Sequence, residues 1–544
     1  MLRQNFLRSL IINTGLLLFF PGGELVEADV TVQPENTRQT IIGFGASIAW
    51  YENLLTSHPQ KDEIYEYIFD TLHLDILRIK NRYGYNQEGH LNNYAEIVDN
   101  FRYYRGDNSL VLMSSWSPPA NLKSDGTING GGTLIKTDDE YAYDVYADYW
   151  LNSFYYYENE GIFLDYISIQ NEPGYVDDDW ETCELGATEG SLAGYPEALD
   201  AVYTKFQDLD SPVKFIGPEV LGIGYNLFQN YANGLAANDQ LYQLNGYAHH
   251  LYHGGDHKNP DSYIENMSAI AENYNDKPIF QTEFGRGDCG DWFQTAWVIH
   301  NALVYENVAA YLYWNLVWPG QGLVELDDQT YTLSKTFWAF WQYSRFIYPG
   351  WRRVNIENNI DGLKMSAFQS VEKDSLTMVI LNTADYNFSM ALDLGKYGVK
   401  SGEVYRTSES RDGKFLQNFG DSDFLDLPPR TITTLAIRGS MTSVKPQVQS
   451  MANKIRLWQN YPNPFNGGTQ IRYSVPERGY ISIRIIDISG RMVTELVGKI
   501  QSSGEYIVTW DGLDHSGRQA SSGTYLYEFR MGEQIRRNKL ILLR

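Results

Sequence analysis

Between residues 41 and 346 the chain repeats one pattern: a short apolar run, a polar connection, then an amphipathic stretch of helical period. The runs fall at 41–45, 76–80, 110–114, 166–170, 214–217, 246–250, 279–282 and 309–314. Residues 137–157 and 291–306 are the clearest helical stretches, and 335–346 has helical character after the last run. Strands alternating with helices form βαβ units, which make the strands parallel. Eight such units predict a closed (β/α)8 barrel. The competing fold, an open doubly wound sheet, would carry a glycine-rich phosphate fingerprint after its first strand, and that signal is missing.

Two of these runs lead into glutamates, in Ser168-Ile169-Gln170-Asn171-Glu172-Pro173 and in Pro278-Ile279-Phe280-Gln281-Thr282-Glu283-Phe284-Gly285. In a closed barrel every strand ends on the same face, so Glu172 and Glu283 can converge there across a long sequence separation. Paired carboxylates flanking one bond are what glycoside hydrolysis requires. Either glutamate alone would read as a surface carboxylate.

At 544 residues the chain exceeds one compact core, so several domains are expected. Its net charge of −25 argues against nucleic acid or an anionic membrane as partner. The 41 Tyr and 13 Trp exceed core needs in a way that suits flat sugar rings. Near the start, Arg3 and Arg8 precede an apolar run at 10–20 and the small-residue stretch Val26-Glu27-Ala28. That layout predicts a signal peptide over 1–28 and an exported protein without a membrane span. The two cysteines, Cys183 and Cys289, form either one disulfide or two buried thiols.

Outside the barrel (41–348), residues 29–40 and 349–439 are strand-like and without helix, which predicts a side β-sandwich assembled from both ends of the barrel. Residues 440–454 are polar and read as a linker. The tail, 455–544, alternates strands such as 480–486 and 504–510 with turns at Ser489-Gly490 and Ser522-Gly523. Its Tyr461-Pro462-Asn463-Pro464-Phe465-Asn466, Asp487-Ile488-Ser489-Gly490-Arg491 and Gly523-Thr524-Tyr525 resemble the immunoglobulin-like sorting domain of type IX secretion substrates. That resemblance implies an address read by an export machine, and a secreted or cell-surface location.

The barrel resembles glycoside hydrolase family 30, a family of retaining (β/α)8 enzymes. The likeness rests on Gly43-Phe44-Gly45-Ala46-Ser47, Leu77-Arg78-Ile79, Ser115-Trp116-Ser117-Pro118-Pro119, Asn171-Glu172-Pro173, Thr282-Glu283-Phe284 and Ser344-Arg345-Phe346-Ile347-Tyr348-Pro349-Gly350, in that order. It implies that Glu172 is the general acid/base, Glu283 the nucleophile, and Asn171 a contact of the sugar 2-hydroxyl. Arg78, ending strand two, is a donor candidate for Glu283, against the reading of a structural ion pair. Trp314, ending strand eight, commonly floors the cleavage subsite in this clan; Trp116 and Trp50 are further candidates for the cleft. In His249-His250-Leu251-Tyr252-His253, neighbouring histidines point to opposite faces, which argues against a shared metal. Tyr252 is expected near Glu283 and His250 in the cleft. No metal and no cofactor are called for, and the acidic runs Asp177-Asp178-Asp179 and Asp327-Asp328 read as solvated loops.

The stretch Ser115–Lys123 with Gly126–Gly131 resembles the xylanase branch, whose glucuronoxylan-dependent members use an arginine after strand eight. Here that loop, 315–326, offers none, and Glu325, Asp327 and Asp328 are expected to repel a glucuronate; Lys335 and Arg286 are the nearest cations in sequence. The expected protein is a monomeric, secreted, retaining β-glycanase acting on β-1,4-xylan. β-1,6-Glucan or β-1,6-galactan remain as alternative substrates, and a non-catalytic polysaccharide-binding barrel as an alternative class. Removing 455–544 is expected to leave activity on soluble substrate nearly unchanged and to strand the enzyme in the periplasm of a type IX-competent host; normal secretion of the truncated chain would overturn the sorting reading.

Overall fold

The computed structural model describes residues 30–85, 89–209, 213–285, 291–357, 360–390, 392–394, 397–419, 425–441, 456–475, 478–502, 504–532 and 534–544. The expected signal peptide, most of the linker, Cys289 and Arg286 lie outside the described residues. The chain divides into two compact units at Met441/Thr442.

Eight parallel strands close a barrel: Gly43–Ser47, Ile76–Lys80, Leu110–Ser114, Tyr166–Ser168, Lys214–Gly222, Gly246–His253, Ile279–Glu283 and Ala310–Tyr313. Around the ring they follow one another in chain order, and the eighth pairs with the first. Most of these strands are buried along nearly their whole length, because helices cover the outside and side chains fill the inside. Ile76, Leu112, Tyr166, Ile216, Ala248, Phe280, Ala310 and Leu312 make up the interior cluster. The glycine at the centre of Gly43-Phe44-Gly45-Ala46-Ser47 has a packing cause: a Cβ on Gly45 would lie 2.4 Å from the Ile76 carbonyl oxygen.

The helix expected over 137–157 runs over Tyr143–Glu158 instead. Ahead of it Lys136–Thr137 pairs with Glu140–Tyr141, and Asp138 and Asp139 turn the hairpin with φ of 55° and 68°. Two residues of positive φ are what a tight two-residue hairpin demands, and aspartate tolerates them better than most. The stretch 291–306 is helical over Trp292–Asn301, started by an Asp291–Gln294 capping box, and ends in a π-turn at Ala302–Glu306.

Val30–Thr40 pairs antiparallel with Arg352–Glu357 in an eight-stranded sheet whose other members come from 363–441. Phe388–Met390 and Leu425–Leu427 form the second layer, so the expected sandwich has one broad sheet and one two-stranded ribbon. Alternation decides what the broad sheet does. Along Ser375–Asn382, Leu376, Met378 and Ile380 fill the side-domain core, while Val379 and Leu381 join the barrel core. Thr377 and Thr434 donate their hydroxyls to the carbonyls of Phe346 and Gln342, at 2.7 and 2.9 Å, tying the sheet to the last barrel helix, Lys335–Ser344, and its exit.

The second unit is a two-layer antiparallel β module. Arg456–Leu457, Thr469–Val475 and Gly504–Trp510 face Met492–Gln501, Gly479–Asp487, Gly523–Met531 and Gln534–Leu542. Trp510, Ile471, Tyr527 and Leu540 lie between the sheets. Gly490, with φ of 84°, turns the hairpin from 479–487 to 492–501, and the Asp487 carboxylate accepts the amides of Ser489 and Arg491 there. No helix among the described residues is long and apolar enough to cross a membrane.

Candidate active site

All nine residues singled out from the sequence meet at the C-terminal end of the barrel. Glu283 closes the seventh strand, and Glu172 follows the fourth in a left-handed conformation, φ 49°. One oxygen of each carboxylate and one ring nitrogen of His250 all lie within 4.8 Å of one another. Both glutamates are buried, at 8% and 5% exposure, so water screens their interaction weakly.

Arg78 organises the group. From the second strand its Nη1 donates to Glu283 Oε2 at 2.7 Å, and its Nη2 donates to Asn171 Oδ1 at 2.6 Å. Nη2 also lies 3.0 Å from Glu219 Oε1, Nε donates to Ser114 Oγ at 3.1 Å, and the guanidinium stacks 4.5 Å over Trp116. Burial would lower the Arg78 pKa, but Glu219 and Glu283 outweigh it and the net shift is upward. Glu283's other oxygen, Oε1, accepts from the Tyr252 hydroxyl at 3.0 Å. Because Arg78 donates to it, the Asn171 oxygen faces the arginine and its amide nitrogen is left to donate elsewhere.

His250 Nδ1 sits 2.7 Å from Glu172 Oε1, and its Nε2 is 3.9 Å from both Glu219 and Glu283. Burial pulls the imidazole pKa down, but Glu283, Glu172 and Glu219 together raise it to about 9, so His250 is cationic at neutrality. For Glu219 burial pushes upward, and Arg78 and His250 hold it down at about 2. Glu172 goes the other way: burial raises its pKa, with the Glu283 charge adding to the effect and His250 opposing it.

The opposite strand ends supply a tryptophan wall. Trp50 packs against Trp116, Trp314, Trp180 and Trp318 with ring centroids 5.3, 5.2, 5.9 and 6.4 Å away. These rings, Tyr175, Asp177, Glu181, Leu221, Tyr252, His253 and both glutamates line a cleft of about 420 Å³. Behind Trp50, Lys80 Nζ lies 4.1 Å over the indole and 2.7 Å from Glu181. Burial brings the Lys80 ammonium down to about 7, against the pull of Glu181.

Several of these residues escaped the sequence reading. Glu219 had a signal, since Phe215-Ile216-Gly217-Pro218-Glu219 repeats the apolar-run-then-glutamate signature of the two named carboxylates. Lys80 had one too, two positions after Arg78 on the same strand face. Trp180, Trp318 and Tyr175 had none, because loops bring them in. Asp177, read as part of a solvated run, lines the cleft, held by the Tyr175 hydroxyl at 2.9 Å. The acidic loop after strand eight is also corrected. Asp327 caps the turn between Val324–Leu326 and Tyr331–Leu333, accepting the amides of Gln329 and Thr330 at 2.8 Å, and neither it, Glu325 nor Asp328 lines the cleft. Lys335 is spent on the side domain, on the Ser408 and Glu409 carbonyls and on Asp412.

His249 and His250 do point apart: His249 turns outward to Glu306. Among the described residues, Glu172, His250 and Glu283 have the spacing of a metal site. Their chemistry fits one poorly, because Arg78 and Tyr252 already hold Glu283 and a guanidinium 2.7 Å away opposes a second cation. Cys183 is a buried free cysteine whose thiol burial pushes up to about 12.

Residues 89–186 match the model of the glycosyl hydrolase family 30 TIM-barrel domain, and residues 466–532 match that of the FlgD Ig-like domain. The C-terminal match is thus to an Ig-like domain. Glucuronoxylanase XynC of Bacillus subtilis (strain 168) is 25% identical over 429 residues, which span 76% of this chain and 92% of that protein. The catalytic domain of GH30 xylanase C from Talaromyces cellulolyticus superposes with a TM-score of 0.64 at 20% identity, covering 75% of this chain and 99% of that one. The glycoside hydrolase family 30 subfamily 8 xylanase Xyn30A from Clostridium acetobutylicum does so with a TM-score of 0.61 at 24% identity, again over 75% and 99%. The structural likenesses speak to the fold, and the family model and the curated relative to the chemistry. With two buried carboxylates at the head of the barrel, the protein is a glycoside hydrolase similar to the family 30 xylanases.

Proposed function

We propose that this glycoside hydrolase is a retaining β-glycanase acting on β-1,4-xylan, with Glu283 as nucleophile and Glu172 as acid/base. The observation that carries the reading is the closeness of the two carboxylates, oxygens within 4.8 Å, in opposite electrostatic settings. Retaining enzymes hold their carboxyls ~5–5.5 Å apart, whereas inverting ones leave ~6.5–9.5 Å for a water. The surroundings support the roles: Arg78 and Tyr252 donate to Glu283, as suits a nucleophile, and burial raises the Glu172 pKa, as suits an acid.

In the first step Glu283 attacks the anomeric carbon. The Arg78 and Tyr252 hydrogen bonds aim its oxygens, and Glu172 passes its proton to the departing glycosidic oxygen. His250 occupies Glu172 Oε1, which leaves Oε2 for that transfer. Glu172, now ionised, takes a proton from the water that frees the sugar. With its oxygen taken by Arg78, the Asn171 amide supplies the donor that the resemblance assigns to the 2-hydroxyl. Xylan is favoured by the relative's name as a glucuronoxylanase, and the tryptophan cluster suits a pyranose ring of any such glycan. A secreted location, and an export role for the Ig-like module, rest on the sequence resemblance.

Glu283→Ala is expected to lose more than about a thousandfold in kcat, with azide restoring turnover as a glycosyl azide of inverted configuration. Glu172→Ala should cripple polysaccharide hydrolysis while sparing the first step on aryl glycosides of good leaving groups. More than a few per cent of wild-type activity in Glu283→Ala, or an inverted primary product by NMR, would sink the assignment.

The rate should fall as pH rises through the raised pKa of Glu172, because the acid is lost. His250 opposes that elevation, so His250→Ala should move the basic limb of the kcat/KM profile to higher pH while lowering its maximum. A limb that stays put or moves down contradicts the proton assignment.

Among the described residues no Lys or Arg lines the cleft, whereas Asp177 and Glu181 do. A glucuronate side group gains no charge-assisted bond from them. Hydrolysis of arabinoxylan or linear xylo-oligosaccharides is therefore expected to match or exceed that of glucuronoxylan. Products all bearing glucuronate at one fixed position would refute this.

A further inference from the structure

The cleft has two unlike walls. Glu172, in the loop after strand four, and Glu283, at the end of strand seven, divide the barrel ring into two arcs. The arc of strands eight, one and three carries the packed tryptophans Trp314, Trp50 and Trp116. The arc of strands five and six carries Leu221, Tyr252 and His253. A sugar seated on the tryptophans, with its anomeric carbon at Glu283, therefore sends its leaving group toward the second arc. The carboxylate site uses nothing there beyond Tyr252, His250 and the buried Glu219.

At the outer edge of that arc stands Tyr225, 88% exposed, its ring 6.2 Å from the His253 ring at an interplanar angle of 84°. Its loop is held by backbone. The amides of Ile223 and Gly224 donate to the His253 carbonyl at 2.8 and 3.1 Å, and Gly222 pairs with His253 in the sheet. The fit requires glycine: a Cβ on Gly222 would lie 2.2 Å from the His253 oxygen, and one on Gly224 2.9 Å from Gly254 Cα. Tyr225 and Asn226 then both take left-handed φ, 57° and 56°, which side-chain-bearing residues seldom adopt. The result is a large aromatic ring pushed into solvent by a pinned loop, beside a residue that lines the cleft.

We propose that Tyr225, backed by His253, is a sugar-stacking platform on the leaving-group side, taking a pyranose ring beyond the bond that is cut. A tyrosine offers a flat apolar face and a polar tip, which match the two faces of a sugar ring. A pinned loop loses little freedom when the ring docks. Such a platform grips the chain on both sides of the scissile bond, as cleavage within a chain requires. The inference rests on the glycanase reading.

The test compares wild type, Tyr225→Ala and Tyr225→Trp on whichever of xylan, β-1,6-glucan and β-1,6-galactan the wild type hydrolyses. It adds oligosaccharides of that glycan in rising length and an aryl glycoside with no sugar beyond the reacting bond. Tyr225→Ala is expected to lower kcat/KM on the polymer and longer oligosaccharides by between about two- and tenfold, mainly through KM. The aryl glycoside should be unaffected, and Tyr225→Trp should restore the long substrates. The side chain is exposed, so both variants are expected to fold. An unchanged Tyr225→Ala on long substrates, or an equal loss on the aryl glycoside, overturns the platform while leaving the glycanase reading intact. A wild type that cleaves none of the three glycans removes that reading and the platform with it.

Discussion

A guanidinium buried without exposure is the constraint on which the site depends. Taking Arg78 out of water costs several kcal/mol unless its donors are met, and here Glu283, Glu219, Asn171 and Ser114 meet them while Trp116 covers its face. Those partners come from the third, fourth, fifth and seventh strands or the loops after them. One side chain thereby fixes the relative positions of most of the strand ends that carry the chemistry. A lysine could not replace it, since a point charge on a flexible stem lacks the planar fork that reaches two carboxylates and an amide at once. Glu219 is the less visible half of this arrangement. It neutralises the arginine without facing the cleft, and so lets Glu283 serve both as an anchor of Arg78 and as a group free to react.

The loops that finish the cleft are held by similar means. Lys123 donates to the carbonyls of Asn129, Gly130 and Thr182 at 3.1, 3.1 and 2.6 Å, joining the loop after strand three to the one after strand four. Lys80 does the same from the second strand by pairing with Glu181. Trp180 and Asp177 lie on the segment tied down this way. Buried cations whose partners are loop carbonyls or a single carboxylate give irregular backbone a defined place without secondary structure of its own. At the other side, the broad sheet of the side domain packs on the last barrel helix, and Lys335 is consumed in that contact rather than in the cleft.

The barrel was legible because it is periodic. Eight apolar runs at barrel spacing need no long-range information; strand five alone ran well past its expected end, to Gly222 rather than Gly217. The first unit's second sheet was legible in outline, since Ser375–Asn382 is apolar at successive positions and must feed two cores. The convergence of Glu172, Glu283 and Arg78 was legible because all three stand near or just past strand ends, which a closed barrel gathers on one face. The start of the helix at Tyr143 was misjudged because Asp138 and Asp139 form a local hairpin turn that helical periodicity does not register.

The amino-acid sequence by itself thus determined the closed parallel barrel, the face on which its strands end and the two carboxylates delivered there, because strand period and strand polarity are local properties. Only the tertiary structure decided the electrostatic setting of each carboxyl, in which burial raises the Glu172 pKa against the pull of His250. That depends on the count of charges within a few ångströms, and His250, Arg78 and Glu219 come from three different strands or their ends. It also decided that Asp327 and Lys335 stand away from the cleft while Asp177 and Trp180 line it. Loop residues near one another in sequence part company according to which carbonyl, glycine or buried cation holds each loop, and that is settled only when distant strands are brought side by side.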